Sequence, residues 1–357
     1  MGSTTQSPMR RFTYLCGSAL RRFWSIRGMP SSMIAFVALI VIYVAFGLRE
    51  RAVFSSLNIL NLLRSMSKYL LIGIGQSYLL ITGNIDLSIG SMVGMSAMIS
   101  ATLMTQAVSP ILAALITLGC CLGFGLINGF LVGKCQLPPF IATLGTMFCA
   151  RGVAYIVNGN RNTDAIASGI GKGAADKIQN FFYYGKTLGV YNTFWIAIAL
   201  FAVFFFLLQK TRTGRHIYAI GSNLDAAKLS GVNVGAAATK AYLVSAFCSF
   251  VVGLILCAQA GMGNMEAGTM YEMYGVAAGV IGGVSPLGGT GILLGTLAGA
   301  SVWQTLENGL NMIGAQVGIQ RLVIGVIVVF SVLIEVVFRG RKIKWAGSGA
   351  KKEASKD

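Results

Sequence analysis

The sequence predicts an all-α integral membrane protein with about ten transmembrane segments. Of its 357 residues, 55% are hydrophobic and only 11% are charged, whereas soluble domains carry about 25% charged residues. Several apolar runs approach the ~20 residues that an α-helix needs to cross the hydrocarbon core. The basic residues, which give a net charge of +17, cluster at both termini and in one central loop. The positive-inside rule therefore places these three regions in the cytoplasm.

The number of segments follows from this topology. Residues 1–30 form a basic cytoplasmic N-terminus, 31–338 the membrane domain and 339–357 a basic cytoplasmic tail. Before the central loop, spans are predicted at 31–47, 69–82, from there to about 104, 110–132, 140–157 and 193–209, with an external loop at 158–191. After it, apolar runs at 241–260, 291–302 and 322–338 require a fourth segment, for which the short, glycine-rich stretch 271–284 is the candidate. Two of the ten segments are therefore predicted to be broken or half-length.

The central loop, residues 210–240, is the longest polar interior segment with helix signals. Ser222 or Asn223 can cap a short helix from Leu224 to Ser230, which Gly231 would end. A short helix held outside the membrane between two spans is well shaped to bind a soluble partner. The alternative interpretation is an ordinary positively charged loop.

Two glycine-rich breaks resemble one another and predict an internal repeat. Residues 82–94 (TGNIDLSIGSMVG) align with residues 282–295 (GGVSPLGGTGILLG) after a one-residue insertion. Gly83 then pairs with Gly283, and Leu87 pairs with Leu287. Breaks at matching places in two halves are typical of a transporter's substrate region, where unwound backbone lines a cavity. Chance similarity between two glycine-rich loops is the alternative.

Asp86 lies within the first break. An ionised carboxylate deep in lipid costs roughly 2.5 to 3.5 kcal/mol, so it should face a polar cavity or a partner. Near the interface the cost is smaller, and Asp86 can instead cap a helix that starts at Leu87 or Ser88. We favour the cap over direct contact with substrate.

Motifs of ATP hydrolysis and hydrolytic catalysis are absent from the sequence. It has no G-x-x-x-x-G-K-[ST] loop, no G-x-S-x-G turn and no H-E-x-x-H pair. His216 is its single histidine, and its seven cysteines form no C-x-x-C. We therefore expect no enzyme, no metal, no cofactor of its own and no nucleic-acid partner. Glu307 and Glu335 are candidate proton-coupling groups that could equally snorkel or pair, for example with Arg321.

Four strings together resemble the membrane permease of ribose-type bacterial ABC importers. They are ITGNIDLSIGSMVG, GLINGFLVGKCQLPPFIATLGTM, RTGRHIYAIGSNLDAAKLSGVNV and IGGVSPLGGTGILLGTLAGA, in that order along the chain. The resemblance covers residues 55–338. It implies a multi-pass permease of the bacterial inner membrane that works as a pair, with a second identical or paralogous copy. Two cytoplasmic ATPase subunits, which bind the ATP, and a periplasmic sugar-binding protein would complete the importer.

The resemblance also assigns a role to the central loop. The loop segment 212–234 would dock into the ATPase, and alternating access would carry a small neutral sugar inward. A signalling furanose, inositol or a nucleoside is the alternative solute, and an ion-coupled secondary carrier is the alternative class. The predicted coupling residues are Gly221, Asn223, Asp225, Ala226, Ala227, Ser230 and Gly231. The predicted pathway residues are Asn84, Asp86, Leu87, Ser88, Gly90, Ser285 and Gly288.

Overall fold

A computed structural model describes residues 29–323, 325–327, 329–330 and 333, almost all of the regular structure being α-helical. The helices are α1 Met29–Arg49, α2 Ser56–Thr82, α3 Ile89–Thr105, α4 Pro110–Gly133, α5 Pro139–Ile156, α6 Ala167–Ile170, α7 Lys172–Gln179, α8 Asn192–Lys210, α9 Arg212–Ser222, α10 Leu224–Leu229, α11 Val234–Ala260, α12 Tyr271–Ile281 and α13 Leu293–Met312, then α14 Val317–Ile327. Residues 1–28 of the predicted basic N-terminus (1–30), the tail 339–357 and Glu335 lie outside the described residues.

The burial pattern is that of a membrane protein. Helices α2, α3 and α11 form the centre of the bundle, and their side chains are mostly buried. The surrounding helices expose large apolar side chains, such as Ile34 on α1 and Ile111 on α4, which are 66% and 77% exposed. Among the described residues, five helices are long and apolar enough to cross a membrane. Continuous apolar surface of this kind needs lipid to cover it.

Helix α2 is longer than the sequence predicted. It has 27 residues, whereas the apolar pattern gave a short span over residues 69–82 because polar residues precede it. Those polar residues find partners inside the bundle. The Lys68 Nζ donates to Gln259 Oε1 over 3.0 Å, and Asn58 and Asn308 exchange amide hydrogen bonds of 3.1 and 3.0 Å. Satisfied polar groups can remain in a buried helix.

The ends of the other helices lie closer to their predicted positions, except next to the loops. Helix α11 begins at Val234, seven positions before the predicted start at 241, since the Asn233 side chain caps it at Ala236 N. The predicted external loop, 158–191, contains two short helices, α6 and α7. It also contains a π-helical turn, Asn180–Tyr184, and an antiparallel pair, β1 Lys186–Thr187 and β2 Val190–Tyr191. A 3-10 turn, Arg51–Phe54, joins α1 to α2.

The two breaks share a local design. Helix α2 ends at Gly83 and α12 is followed by Gly283, and both glycines have positive φ, 79° and 83°. A short loop follows each glycine, and then a new helix, α3 or α13, begins. Helix α12 has only 11 residues and packs on the last part of α2, where Gly275 lies against Ile72 and Gln76. Glycine allows both the left-handed turn and the close helix contact.

Candidate functional site

A buried carboxylate lies at the first break, between α2 and α3. Asp86 has no exposed surface, and its Oδ1 accepts hydrogen bonds from the Ser88 hydroxyl and from the Ser88 backbone N–H, the latter over 2.8 Å. The Ser245 hydroxyl on α11 donates to Oδ2 over 2.7 Å. Both oxygens are therefore occupied, which is how a buried carboxylate is compensated for its lost hydration.

The hydrogen bonds continue from Asp86 to two further helices. Asn128 Nδ2 on α4 donates to Ser88 Oγ over 2.9 Å, and Thr146 Oγ1 on α5 donates to Asn128 Oδ1 over 2.6 Å. Each donor in this series points towards the carboxylate. All of these side chains are buried, so the network fixes α4, α5 and α11 around the first break.

Asp86 supports the start of α3 without being its N-cap residue. The helix begins at Ile89, its N-cap is Ser88, and Ser88 makes no side-chain capping bond. Asp86 instead accepts the N–H two residues ahead, as in an Asx turn. The geometry is thus related to the cap that the sequence suggested, with the helix starting later than Leu87 or Ser88. A contact between Asp86 and substrate stays a prediction.

The two breaks and the central loop meet at a junction of glycines. A Cβ on Gly288 would lie 2.7 Å from the Gly221 carbonyl oxygen and 3.1 Å from Gly83 Cα. The Gly289 N–H donates to the Ile81 carbonyl in the last turn of α2 over 2.8 Å. A Cβ on Gly221 would overlap that same Ile81 oxygen. These backbones can approach so closely because glycine has no side chain.

A tyrosine on α9 makes a second link to the second break. The Tyr218 hydroxyl donates to the Gly291 carbonyl over 2.7 Å and accepts from Gln209 Nε2 on α8 over 2.9 Å. Through Gly221 and Tyr218, α9 contacts both breaks. The sequence analysis did not predict α9, because its apolar and basic residues alternate within a polar loop.

The short helix predicted in the loop is present as α10. Of the two candidate caps, Asn223 is the one used, since its Oδ1 accepts from Ala226 N over 2.9 Å. The helix ends at Leu229, with Ser230 as C-cap. Gly231 follows with a φ of 77°, so the predicted stop is confirmed and the helix is one residue shorter than expected.

One expectation about this helix is wrong. The sequence analysis counted Ala227 among the coupling residues, but its side chain is 4% exposed and packs against Ile220 and Ala237. Helical periodicity turns this position towards the rest of the protein. The outward side chains are those of Leu224 and Leu229, which are 44% and 90% exposed. Asp225, Ala226 and Ser230 are also exposed.

The remaining predicted pathway residues lie inside the bundle. Leu87, Gly90 and Ser285 are buried, and Asn84 is half-buried. Gly90 has a specific neighbour, because a Cβ there would lie 2.5 Å from the Gly268 carbonyl oxygen. The glycine junction therefore joins one predicted coupling residue, Gly221, to one predicted pathway residue, Gly288, whereas Gly90 lies against Gly268.

The sequence analysis missed a polar cluster between α5 and the loop that joins α11 to α12. Arg151 Nη1 on α5 donates to the Met265 and Ala267 carbonyls over 2.6 and 3.0 Å. The Tyr155 hydroxyl donates to Glu266 Oε1 over 2.6 Å. A signal was available, because an arginine within an apolar span marks a polar pathway or a partner.

Glu307 is held by a tyrosine. The Tyr69 hydroxyl on α2 donates to Glu307 Oε2 over 2.9 Å, so this carboxylate has an internal partner other than the suggested Arg321. The rings of Tyr274 and Trp303 surround Tyr69. Within the described part of the chain, no cluster of three or more His, Cys, Asp or Glu residues could hold a metal, and the cysteines are free.

Comparison with known proteins decides the family. The family described as "Branched-chain amino acid transport system / permease component" matches residues 58–332. The chain belongs to this family of membrane permeases. Its members are transport components, and the chain is accordingly a multi-pass membrane protein and not an enzyme. No solved structure gives a significant match.

Several curated relatives of this chain are permeases named for sugar import. The ribose import permease protein RbsC of Bacillus subtilis (strain 168) is 35% identical over 86% of this chain and 94% of its own length. RbsC of Escherichia coli (strain K12) is 31% identical over 84% of this chain and 92% of its own. The galactose/methyl galactoside import permease protein MglC of the same strain is 33% identical over 86% and 94%. The predicted resemblance to ribose-type permeases is confirmed.

Proposed function

We propose that this chain is the membrane subunit of an ATP-driven importer for a small neutral sugar in the bacterial inner membrane. Relatives named for ribose and for galactose import match it over more than four-fifths of its length. Two chains would form the transport unit, a cytoplasmic ATPase would bind and hydrolyse ATP, and a periplasmic protein would deliver the sugar. A signalling furanose, inositol or a nucleoside is the alternative solute, and an ion-coupled carrier is the alternative class.

The proposed membrane topology has ten segments. Helices α1 to α5, α8 and α11 to α14 supply them, with α12 as a half-length segment. Residues 31–338 then form the membrane domain, with the loop 210–240 and both basic termini in the cytoplasm. The positive-φ glycines Gly83 and Gly283, each at the end of a helix, support an internal repeat that relates the two breaks.

One observation carries the proposed coupling mechanism. Helix α10 presents the exposed side chain of Leu229, while the adjoining α9 contacts both breaks through Gly221 and Tyr218. An exposed leucine on an ordered helix offers apolar area to a protein partner. ATP-driven movement of the docked ATPase would then pass through α9 to the breaks. Rocking of the paired bundles would open the pathway to each side alternately.

The test is to replace Leu229 by aspartate and purify the importer through its membrane subunit. Burial of a leucine side chain stabilises a contact by about 1.5 to 3 kcal/mol. We therefore expect Leu229→Asp to weaken retention of the ATPase at least about tenfold and to abolish sugar-stimulated ATP hydrolysis. Leu188→Asp is the matched control, since Leu188 is 86% exposed in the external hairpin.

Two results would contradict the proposal. Normal ATPase retention and normal sugar-stimulated hydrolysis in Leu229→Asp would show that α10 is not the docking element. Transport by the purified membrane subunit without any ATPase, driven by an ion gradient, would favour the carrier class. The solute is identified by comparing stimulation by D-ribose, D-galactose, myo-inositol and uridine.

A further inference from the structure

A groove of about 680 Å³ lies between the end of α4 and the start of α11. Its floor is the contact between the two backbones. A Cβ on Gly129 would lie 2.7 Å from Thr239 Cα, and a Cβ on Gly133 would lie 2.8 Å from the Gly235 carbonyl oxygen. Close contact through glycine leaves a valley between the larger neighbouring side chains. The lining includes Leu126, Phe130, Lys134, Asn233, Ala236 and Thr239.

The groove opens on the apolar surface of the bundle. Leu126 and Phe130 line it and are 51% and 50% exposed. Exposed apolar surface on a membrane helix lies against acyl chains, because the bilayer is its solvent. The volume is in the range of pockets that hold one small molecule, which is enough for part of a lipid chain. Its position therefore selects a lipid as the occupant.

The two helices that form the groove carry cations and no anions. Lys134 is the C-cap of α4, and Lys240 lies one turn after Ala236 on the same side of α11. Both lysines are exposed. Neither α4 nor α11 contains an aspartate or a glutamate. The walls thus offer two positive charges and no negative charge to a bound molecule.

The two ammonium groups lie near one end of the membrane. The Lys134 Nζ lies 5.6 Å from the centre of the Phe130 ring, one turn back along α4, so this side chain turns towards the groove. Lys240 is six residues, or about 9 Å, past the start of α11, and its long side chain can extend back towards the headgroups. The proposed topology places these ends of both helices at the cytoplasmic face.

We propose that this groove binds an anionic phospholipid of the cytoplasmic leaflet. Its acyl chain would lie against Leu126 and Phe130, and its phosphate would accept hydrogen bonds from Lys134 and Lys240. A zwitterionic lipid fits the same groove but gains less, since its own cation offsets the attraction of the lysines. The inference rests on the proposed topology for the choice of leaflet and otherwise goes beyond the proposed function.

A lipid at this position would contact two helices that matter for coupling. Asn128 on α4, next to Gly129, belongs to the hydrogen-bond network of Asp86. Helix α11 follows the docking helix α10 after only four residues, 230–233. The bound lipid would therefore support the helices that lie between the docking helix and the first break.

The first test measures lipid preference at the groove in the membrane subunit alone. Leu126→Cys, in a background lacking the native cysteines, is labelled with bimane, and its quenching by brominated phosphatidylglycerol is compared with that by brominated phosphatidylcholine. Each lysine is worth about fivefold in affinity for an anionic lipid, so phosphatidylglycerol should be preferred at least about fivefold. Leu115→Cys is the control. Leu115 is 59% exposed and lies three turns earlier on the same side of α4, and both lipids should quench it equally.

The lysines are then tested with this probe. The double variant Lys134→Gln/Lys240→Gln should lower the preference to twofold or less, whereas Lys134→Arg should keep it because the charge remains. Lys172→Gln/Lys177→Gln removes two exposed lysines from the external helix α7 and should also keep it. Millimolar sodium phosphate at constant ionic strength should not relieve the quenching, since the acyl chain holds the lipid in place.

The second test uses the chain with its native cysteines, so that it does not depend on the labelled variants. Phosphatidylglycerol added to the purified protein in neutral detergent should raise the unfolding temperature about 2 to 4 °C more than phosphatidylcholine does. Lys134→Gln/Lys240→Gln should lose this difference, and Lys172→Gln/Lys177→Gln should retain it.

Several results would overturn the lipid site. Equal quenching of Leu126→Cys by both lipids, or a preference that survives Lys134→Gln/Lys240→Gln, would show that the lysines select no lipid. Absence of quenching by either lipid would show that a protein surface, such as a second copy of the chain, covers the groove. Relief of quenching by sodium phosphate would indicate a site for a free anion. ATPase retention judges the importer assignment separately, because the lipid measurements need no ATPase.

Discussion

Replacing Asp86 tests whether the buried network or the negative charge is what the first break needs. Asp86→Leu removes the acceptor for the Ser88 N–H, the Ser88 hydroxyl and the Ser245 hydroxyl. Each buried donor left without a partner costs about 1 to 3 kcal/mol, so the two Ser88 donors alone account for a loss of at least about 2 kcal/mol. Since folded proteins are stable by about 5 to 15 kcal/mol, Asp86→Leu should lose stability and assembly together.

Asp86→Asn should behave differently. Its Oδ1 can still accept from Ser88, and its Nδ2 can donate to the Ser245 hydroxyl once that hydroxyl rotates. The Ser245 hydrogen is then available to the carbonyl one turn earlier in α11, as serine hydroxyls in helices commonly are. The remaining loss is the difference between charge-assisted and neutral bonds, about 1 kcal/mol. We expect most transport activity to remain.

The assay combines thermal unfolding of the purified protein in detergent with sugar uptake by proteoliposomes that contain the complete importer. Ser245→Ala removes a single donor to Asp86. It should lower the free energy of unfolding by no more than about 1 kcal/mol and should leave sugar uptake close to that of wild type. Asp176→Asn controls for loss of an exposed carboxylate. A stably assembled Asp86→Asn protein that transports nothing would refute the reasoning and show that the charge itself is needed.

Two further predictions concern the glycine junction and the topology. Gly221→Ala should overpack the contact with Ile81 at a cost of about 1 to 3 kcal/mol, and should therefore lower the unfolding temperature and the sugar-stimulated ATP hydrolysis. Gly119→Ala, which has open space at its Cβ, is the control and should change neither. Unchanged stimulation of ATP hydrolysis in Gly221→Ala would exclude the junction from coupling. In a background lacking the native cysteines, a membrane-impermeant thiol reagent added to intact cells should label Asn180→Cys but not Asp225→Cys. Ser355→Cys, in the tail outside the described residues, should also stay unlabelled, and labelling at all three positions would refute the ten-segment topology.

Local sequence signals predicted the breaks and α10 well. Asn223, three residues before Ala226, and Gly231 both act within a few residues, so the cap and the stop of α10 are visible in the sequence. Boundaries failed where polar residues occur inside buried helices. The start of α2 is the main example, because the partners of Asn58 and Lys68 lie 250 and 191 residues away, and no local pattern contains that information.

The orientation of α10 shows a second kind of failure. The sequence analysis placed Ala226, Ala227 and Ser230 together among the coupling residues. Only the packing of α10 on Ile220 and Ala237 decides that Ala227 points inward and Leu229 outward. A six-residue helix is too short for its apolar periodicity to indicate which side is buried.

The sequence by itself determined the membrane class, the apolar outer helices, the two glycine breaks and the family, because composition, hydropathy and short motifs are properties of neighbouring residues. The tertiary structure alone decided that Gly83, Gly221 and Gly288 meet and that the Ser245 hydroxyl on α11 donates to Asp86. Such contacts depend on how distant helices pack, and packing is set by the sum of many burial and hydrogen-bond terms across the whole bundle.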